Sequence, residues 1–284
     1  MGVLGGLGAA LAWATSTLCA ARSSRGIGLV PTLTWVMIAG FLVSAPMVAL
    51  TATEGSLTRT SAGWLALSGM ANVAGLAFMY AALARGRVGV VSSIVSSEGA
   101  IAALGAIALG ERPSAATLAG LAVVVAGVAT VAGAAPTPEA TGAPPKPLGA
   151  TLALALAGAV SFGLNLLASG RVSGDVPLAW VTLPARLIGV VIILGAITAG
   201  GTVYPPGRRV AWAAAAGIAE VVGLIAFAIG ARHSVAVSSV MASQFAVVAT
   251  VGGYVFFRER LTRTQIAAVA ITAAGVALVA SQSA

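Results

Sequence analysis

Residues 134–147, AAPTPEATGAPPKP, interrupt a sequence that is otherwise almost unbroken in its apolar character. Five of these fourteen positions are proline, a residue that fixes φ and donates no backbone hydrogen bond, so the stretch reads as an extended, solvent-exposed linker. Over the whole chain, 59% of the 284 residues are hydrophobic and only 8% are charged. Soluble domains carry about 25% charged residues, so this chain has too little polar surface to face water, and its solvent is lipid. A hydrocarbon core about 30 Å thick needs roughly 20 apolar residues per helix. Stretches of that length fall near 2–21, 30–51, 62–84, 88–109 and 114–135 before the linker. They recur near 148–170, 176–199, 209–231, 234–257 and 262–281 after it. The expected fold is therefore an all-α integral membrane protein of ten transmembrane helices, divided into a unit at 1–135, the linker at 136–147 and a second unit at 148–284. No basic residue precedes the first stretch and no clear cleavage site follows it, so it reads as a retained span rather than a secretory signal.

A net charge of +8 would point to nucleic acid in a soluble domain. Here the arginines stand singly or in pairs at helix ends, where cations meet lipid headgroups, so the expected partner is the bilayer and no nucleic acid. The single cysteine, Cys19, and the single histidine, His233, offer neither a disulfide nor a metal site. No cofactor is expected.

The two units resemble each other when the second is slid back by 146 to 148 residues. Trp64 then falls on Trp212, Gly69 on Gly217, Gly75-Leu76 on Gly223-Leu224, Glu111-Arg112 on Glu259-Arg260, and Ala126-Gly127-Val128-Ala129 on Ala274-Gly275-Val276-Ala277. Alanine-rich sequences match each other cheaply, but the paired tryptophans and Glu-Arg landmarks are not explained by composition. With an odd number of spans per unit the second copy must sit upside down, which gives two inverted five-helix repeats. Secondary transporters are often built this way, with the substrate site at the repeat interface near the midplane.

The stretch GERPSAATLAGLAVVVAGV (110–128) and its echo RERLTRTQIAAVAITAAGV (258–276), set in ten spans of two units, resemble the EamA domains of the drug/metabolite transporter superfamily. In that pattern a Glu in a tight turn joins the fourth and fifth helices of each unit and a Gly follows deep in the fifth. The matching residues are Glu111 with Gly127 and Glu259 with Gly275. The family often carries an Arg in the second helix of each unit; Arg186 matches, whereas the first unit has Gly40. The resemblance implies a transporter in the cell membrane and names no substrate.

An ionisable side chain at the centre of a span costs about 2.5–3.5 kcal/mol on insertion scales. Three lie there: Glu98, Arg186 and Glu220. The repeat relates Glu220 to Asn72 and Glu98 to Gln244, both polar and central. Asn72, Glu98, Arg186, Glu220 and Gln244 are thus the candidate substrate-binding residues around one cavity, although packing through interhelical hydrogen bonds is the competing reading, above all for Asn72 and Gln244. Low dielectric favours a neutral carboxyl and a nearby Arg favours an ionised one. Arg186 is expected to hold one Glu ionised or to bind a substrate carboxylate while the other Glu exchanges a proton. Glu220 is the first choice for exchange, because Glu98 adjoins the serines of VVSSIVSSEG (90–99).

Trp13, Trp35, Phe78, Tyr80, Trp180 and Phe245 could line the cavity, but membrane aromatics usually pack or sit at interfaces. Ser92, Ser93, Ser96 and Ser97, echoed by Ser238, Ser239 and Ser243, read as small residues that let helices approach. Asn165 fits either role, and His233 reads as a solvated loop residue. Glu111-Arg112 and Glu259-Arg260 read as capping and charge-pairing residues of tight turns.

Ten of the 15 basic residues lie on odd-numbered connections, which the positive-inside rule places in the cytoplasm with both termini outside; the family resemblance leans the other way. The expected function is alternating-access transport, export in particular, of a small metabolite, amino acid or drug-like solute, with protons as a further partner, by a monomer or homodimer. A lipid-carrier flippase or a small-molecule channel on the same architecture is the alternative. One Cys and one His leave little material for an enzyme, and no Walker motif is present for ATP hydrolysis.

Overall fold

The computed structural model of the protein describes residues 1–51, 57–86, 88–133, 148–198 and 205–257, together with 263, 264, 266, 267, 270, 271, 274 and 275. The linker expected at 136–147, most of the span expected at 262–281, and Glu259-Arg260 lie outside the described residues. Among those described, every regular element is helical: α1 (Gly2–Ile27), α2 (Leu29–Leu50), α3 (Arg59–Leu83), α4 (Val88–Val95), α5 (Glu98–Ala108), α6 (Ala115–Gly133), α7 (Leu148–Val172), α8 (Leu183–Thr198), α9 (Arg208–Ala231), α10 (Val235–Ala242) and α11 (Phe245–Phe257), with a 3-10 turn at Leu178–Val181 before α8. Among the described residues, eight segments are long and apolar enough to cross a bilayer: Gly2–Ile27, Leu29–Leu50, Arg59–Leu83, Val88–Ala108, Gly149–Val172, Leu178–Gly195, Arg208–Ala231 and Val235–Phe256.

The stretches 88–109 and 234–257, expected as single helices, are each broken in two. The first breaks at Ser96-Ser97 and the second at Ser243-Gln244. The cause is local competition for the backbone. Ser96 and Ser97 donate their hydroxyls to the carbonyls of Ser93 (2.7 Å) and Ile94 (2.8 Å), and Ser243 donates to Val240 (2.7 Å). Around each break the amides reach three residues back instead of four, as from Ser97 to Ile94 and from Gln244 to Met241. Hydroxyls that bond their own preceding turn loosen a helix, and in a membrane such a break survives only where protein rather than lipid surrounds it. Both breaks lie inside the bundle, with Ser96 and Ser243 buried.

The two halves of the chain interleave. The helix α1 packs chiefly along α9, α3 along α7, α5 on α10 and α4 on α11. Large apolar side chains such as Leu11, Leu42, Leu104, Leu156, Val191 and Phe256 face outward, as lipid solvent requires. Lipid gives no hydrophobic drive for helices to associate, so close packing of small residues must do it. A Cβ on Gly5 would stand 2.6 Å from the backbone of Ala226 and Gly230, which sets how tightly α1 and α9 approach.

Polar bonds at the two ends fix which connections share a face. At one end Arg25 Nη2 donates to the Gly86 carbonyl (3.1 Å) and Arg209 Nη1 to that of Gly26 (3.0 Å). At the other, Arg232 donates through Nε to Ser173 (2.6 Å) and through Nη2 to Val176 (3.1 Å). Glu111 also stands at this second end. Gly110, at φ 103°, turns the chain out of α5, and the Glu111 carboxylate accepts from the Ser234 hydroxyl and from the Ala236 amide (3.2 Å). The family landmark thus caps a helix, but the helix is α10, in the opposite half of the chain. Replacing such a cap costs about 0.5–2 kcal/mol. Glu111→Ala should lower the thermal unfolding midpoint accordingly and speed amide exchange at Ala236 and Val237; unchanged exchange there would remove the capping role.

Candidate functional site

A cavity lies at the centre of the bundle, lined by Trp13 and Thr17 of α1, Asn72 and Met79 of α3, Val95 and Glu98 at the α4/α5 break, Phe162, Asn165 and Leu166 of α7, Glu220 of α9 and Phe245 of α11. Its volume is about 20 Å³, room for little more than a water molecule, so a larger solute needs the helices to move apart.

Glu98 is the first residue of α5 and only 3% exposed. A half-helix N-terminus carries partial positive charge that favours a carboxylate, and the break that creates this end follows from the serines before it. The Glu98 carboxyl has no hydrogen bond or ion pair among the described residues, although it stands in a wall of apolar and amide groups. Glu220 is differently placed. Its Oε1 accepts from the Ser16 hydroxyl (3.2 Å) and its Oε2 is 3.8 Å from Arg186 Nη2.

Arg186 is fully buried but does not line the cavity; it lies behind Glu220, with Nη1 on Met37 Sδ at 3.6 Å. The place is made by Gly40, since a Cβ there would stand 2.7 Å from Arg186 Nε and 2.8 Å from its Cδ. This accounts for the sequence departure at residue 40: the two related positions face each other, and one must be empty for the other to hold a guanidinium. Gln244 is also buried and off the cavity wall, its amide donating to the Val240 carbonyl of its own helix (3.1 Å). Three of the five candidates, Asn72, Glu98 and Glu220, therefore meet at the cavity.

Asn165 joins them. Its Oδ1 accepts from Ser68 (2.9 Å) and Ser169 (3.2 Å), which turns the rest of the amide to other uses. Asn72 Oδ1 and Trp13 Nε1 are buried without a hydrogen-bond partner among the described residues, a cost of about 1–3 kcal/mol each unless something polar meets them. Of the aromatic candidates, Trp13 and Phe245 line the cavity; Tyr80 is buried off its wall, close to Ser16, Glu220 and Arg186, Trp35 and Trp180 do not line it, and Phe78 is exposed. Sequence reading passed over Thr17 and Phe162. The second could have been found, because Phe162 follows Trp13 by 149 residues, close to the repeat spacing. The two are also seated alike: a Cβ on Gly75 would strike the Phe162 ring at 2.7 Å, and one on Gly223 would strike the Trp13 indole. The serines of α4 bond their own helix, as Ser92 does to Val88 (2.7 Å) and Ser93 to Gly89 (2.6 Å). It is Gly99, 2.5 Å from the Ser239 carbonyl by the same Cβ measure, that lets the two broken helices touch. His233 lies at the exposed end of α9.

A helical bundle with eight bilayer-length segments among its described residues, and Asn72, Glu98 and Glu220 gathered at a small central cavity, has the architecture of a membrane carrier. Residues 1–133, just under half of the chain, match the EamA-like transporter family. No curated protein matches the chain. A solved structure described as "Crystal structure of protein" is similar over 98% of each chain, with a TM-score of 0.72 and 24% identity; at that identity the likeness speaks to the fold alone.

Proposed function

We propose that the protein is a secondary active transporter of two inverted five-helix units, which moves a small amine-bearing solute, such as an amino acid, by alternating access in exchange for a proton. The observation that carries this reading is the pair of helices broken beside the cavity at related positions, one of them presenting Glu98. Interrupted membrane helices in corresponding places of two halves are the strongest sequence-level pointer to a transporter site. The division of roles follows from the partners each carboxyl has. Glu220 is occupied by Arg186 and Ser16, so it is a fixed part of the wall, and the first choice made from sequence is reversed. Glu98 has no cation beside it among the described residues, and a substrate ammonium or a proton can serve as one. Trp13, Phe162 and Phe245 suit a cation as well as an apolar body, while Asn72 and Asn165 supply polar contacts.

A flux screen tests the reading. Purified protein in liposomes, given an inside-acid pH gradient and a panel of radiolabelled amino acids and primary amines, should accumulate at least one of them over protein-free liposomes. It should lose that accumulation when the gradient is collapsed. If no amine moves, or if accumulation ignores the gradient, the proposal is wrong.

A further inference from the structure

At the end of the bundle where the connections after α1 and α3 meet the start of α9, a cleft of about 500 Å³ is lined by Arg22, Arg25, Gly26, Arg208, Arg209 and Trp212. Four guanidinium groups share it, and no carboxylate among the described residues lines it. From the geometry we infer that this cleft binds the phosphate headgroup of an anionic glycerophospholipid.

The charge is not needed to hold the helices. Arg25 and Arg209 do brace the fold, through Gly86 and Gly26, but Arg22 lies over the Trp212 ring at 5.4 Å, and Arg208 makes no hydrogen bond or ion pair among the described residues. The repeat offers an internal control. The positions related to 22 and 25 by the 149-residue offset of Trp13 and Phe162 are Arg171 and Gly174, and those related to 208 and 209 by 148 are Thr60 and Ser61, so the corresponding positions hold one arginine in place of four. Placement also makes the cluster costly when left alone. The first turn of α9 holds Arg208 and Arg209 with no acidic residue and no side-chain cap, and a helix N-terminus already carries partial positive charge. An anion in the cleft answers both.

A lipid fits better than a free anion because of Trp212. Its ring is partly exposed beside the guanidiniums, the position of a tryptophan at the headgroup level of a bilayer, and arginine recognises phosphate through paired N–H donors. The cleft opens at the end of the bundle where, among the described residues, Arg22, Arg25, Arg85, Arg208 and Arg209 gather, a cluster that suits the negative potential of the cytoplasmic leaflet.

The test is native mass spectrometry of protein released from phosphatidylcholine nanodiscs that contain a minor fraction of phosphatidylglycerol. The parent should retain one phosphatidylglycerol in preference to phosphatidylcholine, and millimolar inorganic phosphate should not displace it. Removal of one cleft arginine should weaken phosphatidylglycerol binding about fivefold. Arg208→Gln is exposed and cannot threaten the fold, so it should show that loss alone, and Arg22→Gln with Arg208→Gln about the square of it. Arg208→Lys should recover most of the affinity. Arg263→Gln, an exposed arginine that does not line the cleft, should change binding less than twofold. The inference is overturned if phosphatidylcholine binds as well, if Arg208→Gln binds like the parent, or if Arg263→Gln loses as much. Displacement by phosphate alone would instead make the cleft a site for a soluble anion.

Discussion

Replacement of Glu98 by Gln should abolish pH-driven accumulation while leaving the protein as stable as the parent or more so. The variant keeps the shape of the side chain and removes its charge and its exchangeable proton. Hydrogen bonds to a charged group contribute about 1.5–3 kcal/mol, so the half-saturating concentration of an amine solute should rise roughly 10- to 150-fold, the same energy expressed as a ratio. Coupling should go further, from present to absent, because an amide has no proton to give back. Stability should move the other way. A carboxyl buried to 3% exposure without a partner among the described residues is held at a cost, and Gln relieves it. Loss of transport together with a raised unfolding midpoint separates a binding role from a packing role, since interhelical glue would lose both. Glu98→Asp retains a titrating carboxyl one methylene shorter and should keep part of the coupling. If Glu98→Gln still concentrates solute against an inside-acid gradient, Glu98 is not the exchange site.

Glu98 was legible in the sequence for a simple reason: a carboxyl near the middle of an apolar stretch has no cheap structural excuse. The same logic found Glu220, and the repeat spacing that relates it to residue 72 found Asn72. What escaped depended on reach and on local hydrogen bonding. Counting along a helix fixes the depth of Arg186 but not where a long side chain ends, and its guanidinium passes behind Glu220 into the space left by Gly40. Gln244 sits at the expected depth, yet its amide turns to the Val240 carbonyl. The breaks at Ser96-Ser97 and Ser243-Gln244 left the apolar pattern intact, because the competitor was a hydroxyl rather than a proline or a charge. Glu111 read correctly as a cap, but its partner, 125 residues further on at Ala236, could be seen only once the halves were packed together.

The pair of Arg186 and Glu220 makes an asymmetric prediction. Glu220→Gln should cost about 3–5 kcal/mol of stability, the range for breaking a buried ion pair by removing one partner. Arg186 is fully buried, cannot shed its proton, and would be left with the Met37 thioether. Arg186→Met should cost distinctly less. The carboxyl it strands can neutralise itself by taking up a proton, it keeps the Ser16 hydroxyl, and a methionine fills much of the vacated volume beside Gly40. The double variant, Arg186→Met with Glu220→Gln, should recover most of the loss of Glu220→Gln, because apolar or neutral replacements of a whole buried pair are often neutral. A double-mutant cycle of unfolding free energies in detergent reads the three values. Strict additivity, or an Arg186→Met cost equal to that of Glu220→Gln, would show that the 3.8 Å approach is proximity without coupling. Arg186 would then be available to a substrate carboxylate, and the assignment of Glu220 to the fixed wall of the cavity would fall with it.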